Sequence, residues 1–118
     1  MNQTPISDDT APIVCTIAGD EIPTRVALIE RLRATLTAVD RTDSGLLLRF
    51  PASAEVEADV RRFVIDEQRC CRFWGFAVDA GTELTLRWDG PPRTAELLDR
   101  LLDYFQGDQP IATVSGLL

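Results

Sequence analysis

The sequence contains no lysine and no histidine, and all twelve of its basic residues are arginine. The absence of lysine excludes a Schiff-base lysine and a P-loop, because both depend on the lysine amine. The absence of histidine excludes imidazole as a general acid or base and as a metal ligand. Cysteine, carboxylate, hydroxyl and arginine side chains are therefore the groups left to carry chemistry.

Positive charge is also scarce. Twelve basic residues stand against nineteen acidic ones, which gives a net charge of −7 at pH 7. An acidic protein repels phosphate, so we expect neither nucleic acid nor an anionic membrane as a partner. No apolar run in the sequence approaches the length of a membrane span.

The length of 118 residues predicts one domain that buries roughly two thirds of its unfolded surface. Such a domain needs neither disulfides nor metal in order to fold. Any metal or thiol chemistry is therefore expected to serve function rather than stability.

Cysteine is limited to Cys15, Cys70 and Cys71. The number is odd, and residues 1–11 are polar and lack the apolar segment of a signal peptide. Disulfides are rare in the cytosol, so we predict a cytoplasmic protein with free thiols.

The chain divides into three predicted parts. Residues 1–12 are polar and predict a flexible N-terminal arm, residues 13–107 a single α+β domain, and residues 108–118 a C-terminal tail. The domain begins with a β-branched run at 13–17 that carries Cys15 and predicts a strand at a sheet edge. For the tail, three interpretations stay open: an extra strand, a segment packed on a partner, and a frayed end.

Hydrophobic periodicity predicts three helices and two hairpins in the domain. The helices are expected over residues 23–35, over residues 54–71, and from Pro91-Pro92 to Gly107, and the hairpins over residues 37–50 and 73–88. This order indicates an α+β fold, in which two helix-hairpin units form a mostly antiparallel sheet with helices on one face.

The closing strands of the two hairpins share the pattern L-x-L-R-aromatic, at residues 46–50 and 84–88. The pattern is compatible with an internal duplication or with convergent strand patterning. In either case the leucines and Trp88 are expected to face the helices, and Arg49 and Arg87 the solvent.

The second helix carries the most informative group of residues. The residues Val56, Val60, Phe63 and Val64 define its apolar face, Glu67 falls near the middle of that face, and Cys70-Cys71 fall on its flanks. Burying an unpaired carboxylate costs several kcal/mol as an order of magnitude, so Glu67 needs either a partner or a chemical role.

Two interpretations of this group stay open. In the structural one, Glu67 pairs with a buried arginine, Arg49 or Arg87, and the cysteines are small core residues. In the functional one, Cys15, Cys70 and Cys71 form a three-thiol site for a soft metal or metalloid ion, with Glu67 as proton donor or acceptor or as a ligand. Mercuric ion, trivalent arsenic and cuprous copper suit such a site better than zinc, which would need a fourth ligand.

We favour an ion-binding protein over an enzyme, with no cofactor predicted beyond a soft metal ion. The alternatives are a thiol-carboxylate enzyme that cleaves organomercurials or performs thiol redox chemistry, and an interaction module whose cysteines are core residues. Four aromatic residues near the cysteines are expected in the core, or else around an apolar pocket: Phe73, Trp74, Phe76 and Trp88. Ile65 lies opposite the apolar stripe and is compatible with a homodimer surface, although one exposed apolar residue is ordinary.

The string Glu67-Gln-Arg-Cys-Cys-Arg-Phe-Trp-Gly-Phe76, with Cys15-Thr16 and the hairpin end at residues 48–51, resembles a group of short bacterial proteins. Their motif runs approximately E-x-x-C-C-P-F-x-x-F, and some occur near, or fused to, heavy-metal-responsive MerR-type regulators. The resemblance spans residues 13–105. It implies Cys15, Glu67, Cys70 and Cys71 as signature positions and a link to heavy-metal response. The sequence departs from the motif at Arg72, where the group usually has proline.

Overall fold

The fold is α+β and is built on a five-stranded antiparallel sheet. The structure is a computed structural model that describes residues 2–4, 22–71 and 73–107, without the side chains of residues 2–4, Ile22 and Cys70. In chain order the elements are β1 (Asn2–Thr4), α1 (Ile22–Thr35), β2 (Ala38–Arg41), β3 (Gly45–Phe50), α2 (Ala54–Cys70), β4 (Gly75–Ala80), β5 (Leu84–Asp89) and α3 (Ala95–Gln106). The strand order is β1-β4-β5-β3-β2.

The two hairpins lie in one sheet, as predicted, and meet through their closing strands β3 and β5. The two L-x-L-R-aromatic segments thus pair with each other, and their inward side chains stand opposite one another across the strands. Three such pairs are Leu46 with Trp88, Leu48 with Leu86, and Phe50 with Leu84, and every member is at most 1% exposed. The arginine side chains of Arg49 and Arg87 are 37% and 55% exposed, which confirms the predicted register.

Local sequence fixes the ends of α2. Ser53 caps the first turn by accepting a hydrogen bond from the backbone N–H of Val56, and acidic residues in that turn suit the positive end of the helix dipole. At the other end, Cys71 leaves the helical conformation, while its N–H still donates to the carbonyl of Glu67 at 2.6 Å. The helix therefore ends between the two adjacent cysteines.

An aromatic cluster fills the space between α2 and the sheet. Trp88 is its centre: ring centroids of Phe63, Trp74 and Phe76 lie 5.2, 5.3 and 5.5 Å from it. Each of these side chains is 1% exposed, and so is Phe73. The prediction that these aromatic residues belong to the core is confirmed, and the core reaches as far as the carboxyl end of α2.

Part of the predicted N-terminal arm forms a strand. The first residues were expected to form a flexible arm, yet Asn2–Thr4 pair with β4 as an antiparallel edge strand. Backbone pairing to an open strand edge does not require an apolar sequence, so the polarity of these residues did not indicate the strand.

The predicted strand at residues 13–17 and the tail at 108–118 lie outside the described residues. None of the helices in the described ranges is long and apolar enough to cross a membrane.

The junction of β3 with β5 depends on Gly45. A Cβ atom built at this position would collide with the backbone carbonyl of Trp88 and would lie 2.8 Å from the Cα of Asp89. Because these are backbone atoms of a central strand, neither can move without disturbing the sheet.

We therefore predict that Gly45→Ala lowers the free energy of unfolding by about 3 kcal/mol, the upper range for overpacking. Gly81→Ala is the matched control, because its Cβ would meet only the Glu83 carbonyl oxygen at 3.9 Å. That control should change stability by less than about 0.5 kcal/mol. Urea denaturation measures both, and equal stabilities of the two variants would contradict the prediction.

Candidate functional site

The candidate site lies at the carboxyl end of α2, where the apolar face of the helix carries Glu67. Val56, Val60 and Phe63 lie on the same face and are buried in the core. Glu67 itself is 0% exposed. The sequence prediction that this carboxylate lies on the buried face of the helix is therefore confirmed.

Arg25 of α1 is the partner of Glu67. Its Nη2 donates a hydrogen bond to Oε1 of Glu67 at 2.5 Å, and both side chains are buried. The prediction that Glu67 pairs with a buried arginine is confirmed. The arginines named for that role, Arg49 and Arg87, are wrong, because both lie on the opposite face of the sheet. Arg49 instead pairs with Glu83 and Arg87 with Asp89.

Burial raises the pKa of Glu67 from its ordinary value of 4.5 to about 7. The cause is desolvation, which penalises the charged carboxylate in the core. The positive charge of Arg25 and its hydrogen bond act in the opposite direction, and the neighbouring charge of Asp66 adds to the rise. The Arg25 contact therefore offsets only part of the cost of burying the charge, and Glu67 titrates near neutrality.

The second carboxylate oxygen of Glu67 has no hydrogen-bond partner in the part of the chain that the structure describes. Oε2 is buried without a partner, and the same holds for the indole N–H groups of Trp74 and Trp88. A buried polar atom left unpaired costs about 1–3 kcal/mol. The described part of the chain thus leaves one acceptor unsatisfied on Glu67 and one donor unsatisfied on each of the two tryptophans.

Cys71 follows Glu67 by one helical turn. Cys71 is 0% exposed and belongs to the hydrophobic core. Its sulfur takes part in a disulfide bond whose partner is outside the side chains that the structure describes. The prediction of free thiols is therefore wrong for Cys71, since counting cysteines does not show which sulfurs lie side by side.

The other predicted ligands cannot be placed. Cys15 lies outside the described residues, and Cys70 is described only as the last residue of α2. Among the described side chains, no group of three or more cysteine, aspartate, glutamate or histidine residues could hold a metal ion. The described part of the predicted site is thus Glu67 and Cys71.

Arg25 is the residue that sequence reasoning missed, although a signal for it exists. Arg25, Ile29, Leu32 and Leu36 recur at spacings of four, three and four, so the arginine occupies the apolar stripe of α1. A charge on that stripe needs a partner or a chemical role, as the charge of Glu67 on α2 does. Two helices of opposite buried charge indicate a buried ion pair.

Comparison with known proteins adds no relative: no family model, no curated protein and no solved structure matches the chain. The resemblance to the bacterial E-x-x-C-C group therefore stays a prediction.

The raised pKa of Glu67 predicts how stability depends on pH. The folded state holds a proton on Glu67 up to about pH 7, whereas the unfolded carboxyl releases it near pH 4.5. The stabilisation linked to this proton is complete below pH 4.5 and is lost as the pH rises through 7, with a total of about 3 kcal/mol. The Glu67→Gln variant has no titrating carboxyl at this position, so it does not lose this stabilisation as the pH rises.

The measurement is the unfolding free energy of wild type and Glu67→Gln between pH 4 and pH 8. The difference between the two should change by about 3 kcal/mol in favour of the variant as the pH rises. Glu57→Gln on the same helix is the control, because the Glu57 side chain is 37% exposed. Parallel pH profiles of wild type and Glu67→Gln would show that Glu67 keeps an ordinary pKa.

Proposed function

We propose that this protein binds a soft metal or metalloid ion, such as mercuric ion or trivalent arsenic, through the thiolates of Cys15, Cys70 and Cys71. Glu67 acts beside them, as the acceptor of thiol protons or as an oxygen ligand. The reduced protein is the binding form, because a sulfur held in a disulfide is not a thiolate ligand. In this proposal the protein carries an ion and does not turn over a substrate.

The observation that supports the proposal is the placement of the Glu67 carboxylate. It is buried, one of its oxygens has no hydrogen-bond partner among the described residues, and the residue precedes Cys71 by one helical turn. A thiol releases its proton when it binds a metal ion, and a nearby carboxylate oxygen can accept that proton. Such a role accounts for a carboxylate whose burial otherwise only costs stability.

The side chains available define the class of ion. Thiolate ligands select soft ions, whereas hard ions prefer carboxylates, carbonyls and water. The sequence has three cysteines and no histidine, so a tetrahedral zinc site would need Glu67 or water as its fourth ligand. Ions that accept two or three sulfur ligands match this supply of donors better.

We also propose that the protein acts in the cytoplasm. Cytosolic disulfides are usually transient and belong to catalytic or redox-sensing cysteines. The disulfide at Cys71 is then the oxidised form of the binding site, and cellular thiols restore the form that takes up the ion.

The disulfide at Cys71 favours thiol–disulfide exchange as a second candidate function. A dithiol reductant would attack this bond: the two thiols of the reductant join into a disulfide, the S–S bond of the protein breaks, and the two protons pass to the protein sulfurs. A carboxylate next to the attacked sulfur could donate or accept those protons. This candidate requires turnover, which the binding proposal does not.

We predict that the reduced protein binds one mercuric or arsenite ion per chain and prefers either to zinc. Serine substitution at Cys15, Cys70 or Cys71 should lower the affinity about tenfold or more, since even residues that only orient a ligand contribute that much. Native mass spectrometry of the reduced protein, with the ions in competition, reports stoichiometry and preference together.

The fully alkylated protein and the oxidised protein serve as controls. The alkylated protein should take up no ion, and the oxidised protein, which keeps one free thiol, should bind more weakly than the reduced protein. If the reduced protein binds no soft ion, or if the three serine variants bind as well as wild type, the cysteines are core residues. Rapid catalysis of disulfide reduction by dithiothreitol, with no ion uptake, would instead support the second candidate.

A further inference from the structure

One face of the sheet carries no helix in the described part of the chain. The buried side chains of β2, β3, β4 and β5 point to the other face, where they form one core with the three helices. The outward side chains of the same strands are exposed or half-buried. We define the outer face by six of them: Leu47, Arg49, Ala77, Asp79, Thr85 and Arg87.

The strand β5 divides the outer face into two halves with matching positions. Thr85 on β5 pairs with Arg49 on one side and with Asp79 on the other. Neighbouring strands lie about 4.8 Å apart, so the arginine and the aspartate are equally far from β5 in the same row. These two opposite charges therefore exchange positions under a half-turn about an axis along β5.

The next row repeats this arrangement with apolar side chains. Arg87 on β5 pairs with Leu47 on one side and with Ala77 on the other, and both apolar residues are half-buried. A second copy related by this half-turn brings its Ala77 over Leu47 and its Asp79 over Arg49, and symmetry forms each contact twice. The outer face is therefore complementary to itself in charge and in apolar contact.

The residues on the axis would meet the same residues of the second copy. Thr85 carries no charge. Arg87 forms an ion pair with Asp89 of its own chain at 3.0 Å. Two such ion pairs near the axis have no net charge, so the two arginines repel far less than unpaired charges would. The axis position therefore does not oppose the contact.

We propose that the outer face binds a second copy of this chain, in a symmetric dimer whose two-fold axis runs along β5. Arg49 of each copy pairs with the partner's Asp79, and Leu47 contacts the partner's Ala77. Packed sheets lie about 10 Å apart with strand directions within about 30°, a gap that an arginine and an aspartate together span. Surface ion pairs contribute little, so the exposed contact with Glu83 does not hold Arg49 in place.

The size of the outer face sets the expected affinity. Strands of six residues are about 20 Å long, and four neighbouring strands are about as wide. This area is at the small end for a specific interface. We therefore expect a dissociation constant on the order of 10 µM. This inference does not rest on the proposed function.

The test uses two full-length variants, Arg49→Glu and Asp79→Arg, and their equimolar mixture. Positions 49 and 79 are both acidic in the first variant and both basic in the second, so each variant repels its own copy. Mixing them restores opposite charges at both contacts. We expect each variant alone to dimerise at least about tenfold more weakly than wild type, and the mixture to associate within about threefold of wild type.

Sedimentation velocity measures association from about 1 to about 300 µM protein, with a reductant present to prevent intermolecular disulfides. Arg100→Glu and Asp103→Arg are the matched controls, because they make the same charge changes at exposed positions of α3. Both should dimerise like wild type. If a variant folds poorly, salt replaces the mixture: raising NaCl from about 50 to about 500 mM should weaken the wild-type dimer, and a salt-independent dimer would count against the proposal.

A wild type that stays monomeric over this range would overturn the proposal, as would a mixture that associates no better than the separate variants. A dimer that all four variants form equally would also overturn it. The contact would then lie on another surface, for example around Ile65 of α2, which is 54% exposed.

Discussion

The contact between Arg25 and Glu67 constrains the arrangement of α1, α2 and the end of the sheet. It joins two helices through charges that are both buried, at 2.5 Å, and it lies one helical turn before Cys71. Burial makes the contact sensitive to position, because a charge that loses its partner in the core is penalised by several kcal/mol as an order of magnitude. The angle at which α1 meets α2 is therefore tied to the same contact that orients the carboxylate.

A contribution to stability does not explain why the ion pair between Arg25 and Glu67 is present. Desolvation outweighs the attraction of Arg25, so the pKa of Glu67 rises to about 7 instead of falling. Apolar residues of similar volume often replace buried ion pairs with no loss of stability. The cost of burying the charge is accounted for if the carboxylate accepts the thiol proton of the cysteine that follows it or binds the ion beside it. This is the basis of the proposed function.

The sequence predicted the fold better than it predicted the site. Periodicity located the three helices and two hairpins, because a buried face leaves a repeating pattern in the residues that form it. It also placed Glu67 on the buried face of α2. It could not identify Arg25 as the partner, because a contact between residues 42 positions apart depends on how α1 packs on α2. Strand β1 was missed for a related reason, since backbone pairing at an edge needs no distinctive side chains.

The most direct test of the account combines the ion affinity and the stability of Glu67→Gln at pH 8 in the reduced protein. Glutamine keeps the shape of glutamate and removes the charge that burial disfavours. The account predicts that the variant is at least as stable as wild type and binds mercuric ion or arsenite about tenfold more weakly or worse. A variant that loses about 3 kcal/mol of stability and keeps its ion affinity would contradict it, because Glu67 would then serve only to neutralise Arg25.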